Sequence, residues 1–341
     1  MKGVVFREIG RVESAEVPRP EPGPGEVLIR VGYCGICGSD IEALHTGMYE
    51  PGLLIGHEFA GTIDELGEGV DGWQEGDRVV ASDAFPCGEC LACRRGRPEG
   101  CINLTMVGFS IDGAMAEYVK MPARELHRLP AAMRLRQAAL VEPLAVVLHA
   151  VRRSRLRLGD SVLVMGAGPI GLLAVQCARL AGAQFVAATE VDGGRRALAE
   201  RLGASPALDP ASENVGVVLG GMTGGLGVDL VFVCTGAPAP FRDMVSLVRK
   251  GGQVYLLGLC TEPVEADFMS IVLNDLCLEG SLAGHADFPA AIDAIAQRQV
   301  DVEALVSHEI ALDEIMSGGF ERLAAPGSGA VKILVRIGGE G

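Results

Sequence analysis

Aromatic side chains and positive charge are both scarce in this sequence. Aromatic residues make up 4% of the 341 residues, whereas there are 47 glycines. That balance suits tight turns between strands and helices more than an aromatic binding platform. The 29 lysines and arginines are outnumbered by 44 acidic residues, which gives a formal net charge of −15. Nucleic acids and anionic membranes bind clustered positive charge. The arginine runs at 94–97 and 152–157 are too short to supply it, so we expect neither partner.

Long apolar runs are also missing. The most apolar stretch, Val162–Ala178, is slightly short for a membrane span and contains three glycines and a proline. The N-terminal sequence MKGVVFREIG has neither a long apolar run nor a small-residue cleavage site, so it is not a signal peptide. We therefore expect a cytoplasmic protein.

Cysteine, by contrast, is plentiful. The chain has ten cysteines, and six of them lie in its first third. In a reducing compartment such clustering favours metal binding over disulfides.

The length is that of about two domains at roughly 150 residues each.

Two different patterns follow one another along the chain. Residues 25–125 carry short β-type runs punctuated by glycine, which predict an irregular, mostly antiparallel β unit. Residues 137–153 have helical periodicity. From residue 161 onward, buried strands alternate with helices, which predicts an α/β fold with a doubly wound parallel sheet. A last strand, VKILVRI, is placed where it could rejoin the first unit.

The first chemical motif is a glycine-rich turn between a strand and a helix. Its glycines permit a tight turn and close approach to a pyrophosphate, which the helix N-terminus can bind. Glu190 ends the next strand and could accept hydrogen bonds from a ribose diol, which favours NAD over NADP. The alternative is a plain glycine turn beside a surface glutamate. Arg195 could stack near adenine or meet a 2′-phosphate. The motif residues are Gly166, Gly168, Pro169, Ile170 and Gly171.

The second motif is a run of four cysteines, Cys87, Cys90, Cys93 and Cys101. Four thiolates at this spacing can enclose Zn²⁺ in a closed, structural site. A redox CxxC, a pair of disulfides and an iron–sulfur site are the competing interpretations, which a reduced compartment disfavours.

A third group is dispersed along the sequence. A catalytic zinc needs about three protein ligands and one open position. Cys37, His57 and either Glu58 or Glu142 would provide them. Each residue is ambiguous alone, since a cysteine or histidine is often structural, and only their combination indicates a metal centre.

These motifs together resemble the zinc-containing medium-chain alcohol dehydrogenases, in the branch of sorbitol, butanediol and threonine dehydrogenases. The resemblance rests on segments such as CGICGSD, GHEFAGTI, EPLAV, GAGPIGLLA and CTGA. It implies a GroES-like zinc-binding catalytic domain, residues 1–148 with 287–341, and a Rossmann NAD-binding domain, residues 149–286. It also implies two zinc ions per chain, NAD, a small-molecule alcohol substrate, and a homo-oligomer, either a tetramer or a dimer.

The resemblance also implies roles for individual residues. Cys37, His57 and Glu58 match zinc ligands, and Glu142 matches a residue that binds the metal or holds its water. Ser39 matches the hydroxyl that takes the substrate proton. Thr235 and Gly258 match positions beside the nicotinamide, and Lys332 is placed to meet a cofactor phosphate, although a surface lysine is its default interpretation.

The sequence departs from its relatives at two places. Glu42 stands where relatives often have a proton-relaying histidine, and His45 follows three residues later. Ala283 and Gly284 replace an Arg-Tyr pair of sorbitol dehydrogenases, which makes the neighbouring His285 a candidate pocket residue and disfavours sorbitol itself.

The expected reaction is reversible oxidation of a secondary alcohol, a polyol or vicinal diol, to a ketone. L-Threonine 3-dehydrogenase and sugar dehydrogenase activities remain alternatives. Two rivals are a zinc-free quinone reductase, which the two metal motifs disfavour, and a non-catalytic NAD-binding protein, since a fold alone does not establish activity.

Overall fold

The computed structural model describes residues 1–340. Its strands are β1 (Lys2–Glu8), β2 (Arg11–Glu16), β3 (Glu26–Gly35), β4 (Glu58–Leu66), β5 (Arg78–Ala81), β6 (Ala84–Phe85), β7 (Thr105–Met106), β8 (Tyr118–Pro122), β9 (Leu126–Arg128), β10 (Ser161–Met165), β11 (Phe185–Thr189), β12 (Ala207–Leu208), β13 (Val228–Val233), β14 (Val248–Leu256), β15 (Cys277–Gly280), β16 (Val306–Ala311) and β17 (Lys332–Arg336).

The α-helices are α1 (Gly38–Thr46), α2 (Leu91–Arg94), α3 (Leu135–Ala138), α4 (Val141–Arg153), α5 (Pro169–Leu180), α6 (Gly193–Arg201), α7 (Val215–Met222), α8 (Pro238–Leu247), α9 (Phe268–Leu273), α10 (Phe288–Ala296) and α11 (Glu321–Ala324). Within residues 1–340, no helix is both long and apolar enough to cross a bilayer.

The chain forms two compact units. The first contains Met1–Ala145, Ala283–Arg298 and Val302–Gly341, and the second contains Val146–Leu282 and Gln299–Asp301. The second unit is thus inserted into the sequence of the first.

The first unit is built on a seven-stranded sheet. Its order is β16-β17-β3-β4-β5-β9, and β8 also pairs with β3. All of these pairs are antiparallel except β16 with β17. The C-terminal strand β17 pairs with β3 near the N-terminus, so the ends of the chain meet in one sheet. Its inward-facing side chains, such as Ile29, Ile63 and Ile333, form a continuous apolar core.

The second unit is a parallel sheet of six strands in the order β12-β11-β10-β13-β14-β15. Numbered along the chain, that order is 3-2-1-4-5-6, which is the doubly wound arrangement. Strands β10 and β13 are buried along their whole length or nearly so, because helices cover both faces of such a sheet. The predicted fold class is confirmed.

One predicted helix is divided. The pattern over residues 137–153 predicts one helix, but α3 ends at Ala138 and α4 begins at Val141. Pro143 explains the break, because proline lacks an N–H and is tolerated only in the first turn of a helix. The new start places Glu142 in the first turn of α4.

Candidate active site

The structure brings Cys37, His57 and Glu58 together in the first unit. Their ligand atoms all lie within 4.8 Å of one another. Cys37 precedes the first residue of α1, and His57 and Glu58 stand at the start of β4. Gly56 has φ +97°, and a Cβ there would lie 2.9 Å from the backbone nitrogen of Met115. Glycine is therefore required immediately before His57.

A buried aspartate holds this group in place. Asp40 Oδ2 accepts the Cys37 backbone N–H at 2.9 Å, and Asp40 Oδ1 accepts the Tyr49 hydroxyl at 2.6 Å. His57 Nδ1 lies 3.5 Å from Asp40 Oδ1. Burial disfavours the imidazolium, but Asp40 and Cys37 outweigh it, and the pKa of His57 is raised well above its ordinary value. His57 Nδ1 has no hydrogen-bond partner. A thiol, an imidazole and a carboxyl whose ligand atoms lie this close together in a largely buried place fit a zinc ion.

Glu58 also belongs to a buried ion pair. Lys332 Nζ donates to both carboxylate oxygens, at 2.7 and 2.6 Å, and to the Ile36 carbonyl at 3.0 Å. Burial lowers the pKa of Lys332, but Glu58 outweighs it and the pKa is raised. Gly35 makes room, since a Cβ there would collide with the Glu58 carboxylate. The expectation that Lys332 meets a cofactor phosphate, or lies on the surface, is therefore wrong: its ammonium is 1% exposed and occupied by Glu58.

Glu142 lies near this group but outside it. Its carboxyl is buried, and its pKa is raised well above the ordinary value by that burial and by the charge of Asp83. The charges of His57, Glu58 and Cys37 also act on it. The structure thus places Glu142 beside the three clustered ligands without adding it to them.

Ser39 is the second residue of α1 and is half-buried. Asp40, not Ser39, hydrogen-bonds the start of the helix. Glu42 is half-buried on the same helix, whereas His45 is exposed in its last turn.

The four cysteines form a second group. Their sulfurs also lie within 4.8 Å of one another. Cys90 Sγ is 3.4 Å from Cys93 Sγ, and Cys101 Sγ is 3.5 Å from Cys87 Sγ. Backbone N–H groups of Cys93 and Ile102 lower the pKa of Cys90 to about 6. Four sulfurs gathered in this way fit a closed zinc site.

The glycine-rich turn lies in the second unit. Gly166 has φ +96°, and a Cβ on Gly171 would collide with the Gly166 carbonyl. Gly168 precedes α5, and a Cβ built there would have no neighbour within 4 Å. No side chain caps the start of this helix. The N–H groups at the start of α5 are therefore open to a phosphate, as a bound dinucleotide requires. Pro169, Ile170 and Gly171 form the first turn of that helix.

Glu190 lies against the same turn. Its carboxylate accepts the backbone N–H of Ala167 at 2.9 Å and that of Asp192 at 3.0 Å. Arg195 lies in the first turn of α6, where its N–H donates to Asp192. Thr235 follows β13, and Gly258 is essential beside it because any Cβ there would collide with the Thr235 backbone. The second unit thus contains all the predicted cofactor-binding residues: the glycine-rich turn, Glu190, Arg195, Thr235 and Gly258.

His285 lies in the first unit, in a 3₁₀ turn before α10. Its Nε2 is 2.9 Å from Glu125 Oε2, and this hydrogen bond raises the pKa of His285. His127 stacks on Phe288 and hydrogen-bonds Ser82 at 3.0 Å.

Sequence reasoning missed the charged residues that support the site. Lys332 is the first residue of a strand whose next three residues are apolar and buried, and a charge in such a place signals a buried partner. The sequence around Asp40, Tyr49 and Asp83 does not predict a role for them. Their neighbours in the sequence do not show which residues they contact in the fold.

Two family models match the chain. Residues 23–131 match the alcohol dehydrogenase GroES-like domain, and residues 169–297 match the zinc-binding dehydrogenase domain. The chain is 36% identical to a sorbitol dehydrogenase of Halalkalibacterium halodurans over 92% of this chain and 94% of that one. It is 35% identical to the (R,R)-butanediol dehydrogenase of Bacillus subtilis strain 168, covering 96% of each.

A solved structure is similar over the same extent. It is a zinc-binding dehydrogenase from Sinorhizobium meliloti 1021, bound to NADP, with 34% identity and a TM-score of 0.89. The match covers 98% of both chains.

Proposed function

The chain belongs to the zinc-containing medium-chain alcohol dehydrogenase family, and we propose that it oxidises a polyol or vicinal diol to a ketone with NAD⁺. It is a zinc-dependent oxidoreductase that acts on CH–OH donors and uses a nicotinamide cofactor. The observation that supports the proposal most strongly is the convergence of Cys37, His57 and Glu58 in the first unit.

Two zinc ions per chain follow from the two ligand groups. Cys37 and His57 would hold the catalytic ion, with Glu58 or Glu142 as the third ligand. Cys87, Cys90, Cys93 and Cys101 would hold the structural ion. Bound zinc supplies a Lewis acid that acidifies the alcohol, and NAD⁺ supplies the hydride acceptor.

The chain's own residues then position and deprotonate the substrate. Asp40 fixes the backbone of Cys37 and lies against His57, so it orients both ligands. Lys332 fixes Glu58. We assign to Ser39 Oγ the first acceptance of the alcohol proton, because it stands two residues after Cys37 on α1. Glu42 and His45 are on the same helix, and either can carry the proton outward.

The second unit would hold the cofactor. The open start of α5, from Gly168 onward, fits the pyrophosphate. Glu190 at the turn favours NAD, since its carboxylate would accept from a ribose diol and repel a 2′-phosphate. Arg195 would lie near the adenine, and Thr235 and Gly258 near the nicotinamide.

Self-association is part of the proposal. Helix α9 presents Phe268, Met269, Val272 and Leu273, each about 70% exposed. It lies in the same unit as β15, which ends its sheet. An apolar helix face and an open strand edge are surfaces that a second copy can cover, so we infer a homo-oligomer, a dimer or a tetramer. We also infer a cytoplasmic protein, because all ten cysteines are thiols.

The test is reduction of NAD⁺ and of NADP⁺ by the zinc-loaded protein. The panel contains the butane-2,3-diol stereoisomers, sorbitol, xylitol, glucose and L-threonine, each repeated after chelation, with metal content measured in parallel. We expect chelator-sensitive turnover that is highest with a diol or polyol and with NAD⁺, and about two zinc ions per chain. No turnover by a protein that binds both zinc and NAD⁺ would contradict the proposal.

A further inference from the structure

Asp83 has a buried carboxyl group, and one of its two oxygens receives no hydrogen bond from the residues that the structure describes. It lies between β5 and β6 and is 5% exposed, and its Oδ1 has no hydrogen-bond partner. Its backbone is fixed, because the Asp83 carbonyl accepts the Val107 N–H at 2.7 Å. A buried acceptor without a donor costs free energy, so a group from outside the chain is expected to complete it.

The pairing of β5 with β4 brings Asp83 toward the metal-ligand group. The two strands are antiparallel, with Gly61 opposite Val79 and Thr62 opposite Arg78, so the end of β5 lies beside the start of β4. Asp83 stands in a bend two residues after β5, and His57 immediately precedes β4. The adjacent Ser82 hydrogen-bonds His127.

The surroundings select the kind of group that can reach Asp83. Glu142 and Glu58 are buried in the same neighbourhood, and the charges of His57, Glu58 and Glu142 all act on the Asp83 carboxyl. A substrate carboxylate or phosphate at this place would offer no donor to the Asp83 oxygen. A hydroxyl or an ammonium would donate to the free oxygen.

We propose that Asp83 is a specificity-determining residue, whose Oδ1 accepts a hydrogen bond from a donor beside the reacting carbinol. The donor is a hydroxyl in a vicinal diol or polyol, or an ammonium in an amino alcohol. This inference rests on the proposed function, and it narrows the substrate to alcohols that carry such a neighbouring donor.

The experiment compares two alcohols in three variants. The substrates are the butane-2,3-diol isomer that the wild type oxidises best and 2-butanol, which lacks the second hydroxyl. Asp83→Ala should lower kcat/KM for the diol by roughly tenfold to a hundredfold, with little change for 2-butanol. Ser82→Ala, whose hydroxyl hydrogen-bonds His127 and none of the proposed metal ligands, is the matched control and should leave the ratio between the two alcohols unchanged.

Asp83→Asn separates the two donors and guards against misfolding, because it is nearly isosteric. Its amide oxygen still accepts from a hydroxyl, so the diol should lose less than in Asp83→Ala. If the donor is an ammonium, L-threonine should lose more than the diol does in Asp83→Asn, because the amide oxygen still accepts but no longer carries the negative charge.

Three results would overturn the inference. An equal loss for diol and 2-butanol, which leaves the ratio between them unchanged, would show a merely structural role. A fall in zinc content would show that Asp83 is a metal ligand. A wild type that oxidises no alcohol would overturn the proposed function, and this inference with it.

Discussion

The two groups of metal-ligand residues are assembled in opposite ways. The four cysteines come from one segment, residues 87–101, and backbone N–H groups lower the pKa of two of them, Cys87 and Cys90. Cys37, His57 and Glu58 come from α1 and β4, and they depend on charged side chains elsewhere in the sequence, Asp40 and Lys332. The first group needs local chain geometry, whereas the second needs the complete sheet.

This difference assigns the two groups to different properties: the four cysteines to the stability of the fold, and Cys37, His57 and Glu58 to the reaction. A closed set of four identical ligands leaves no position for a substrate. The set of Cys37, His57 and Glu58 has only three members, which leaves one ligand position for a substrate, and Asp83 nearby can bind that substrate. Variants that remove one ligand from each group should therefore differ in which property they change.

The largest effect is expected from Cys37→Ser. Losing a thiolate from the catalytic group should lower kcat/KM by about a thousandfold, because a metal Lewis acid supplies several kcal/mol of stabilisation to the transition state. Zinc content should fall to about one ion per chain. Cys34→Ala, at a buried cysteine three residues earlier that is outside the group, is the control. Unchanged turnover in Cys37→Ser would remove the basis of the proposed site.

The next largest effect is expected from Lys332→Met in the zinc-free protein, because it leaves the buried Glu58 without its ammonium partner. Breaking a buried pair from one side should lower the free energy of unfolding by about 3–5 kcal/mol, measured by denaturant titration. Adding Glu58→Gln should restore much of that stability. Lys120→Met breaks an exposed pair with Glu26 and should change stability by about 1 kcal/mol or less. Equal losses in the two single variants would contradict the assignment of Lys332.

Cys90→Ser should affect stability more than chemistry. Loss of the structural ion should lower the free energy of unfolding by roughly 2–3 kcal/mol, which is what a ligand at about a hundred times its Kd contributes. We expect kcat/KM to fall by less than about tenfold, measured with zinc content in the same samples. A loss of activity as large as that of Cys37→Ser would erase the distinction between the two groups.

The smallest effect concerns His285, on which charges from both regions act: Glu99 beside the cysteines and Asp83 beside the catalytic group. The hydrogen bond with Glu125 raises its folded pKa above the ordinary 6.5. The stabilisation of the folded protein by protonated His285 is therefore complete below pH 6.5. It is lost as the pH rises through the pKa of His285 in the folded state. Burial and the neighbouring His127 oppose it, and one third of the ring is exposed, so we expect about 1 kcal/mol or less.

The measurement is the stability difference between wild type and His285→Gln, followed from pH 5.5 to 8.5. Glu125→Gln should abolish the same pH dependence. A difference that grows toward high pH would have the wrong sign for this pair.

What the sequence predicted follows the same division. The cysteine run and the glycine turn with Glu190 are local patterns, and the structure brings each together. The combination of Cys37, His57 and either Glu58 or Glu142 indicates a metal centre, and the family resemblance adds which positions match zinc ligands. Lys332 was misinterpreted and Asp83 was overlooked, since their roles depend on strands that pair across large sequence separations.

The pairing of β17 with β3 has a consequence for the order of synthesis. Domains generally fold as the ribosome releases them, N-terminal first. Here Glu58 must wait for a partner 274 residues later, and all of the second unit is released in between. The later unit can therefore finish folding first, while the earlier one stays open with an unneutralised carboxylate until the last strand arrives.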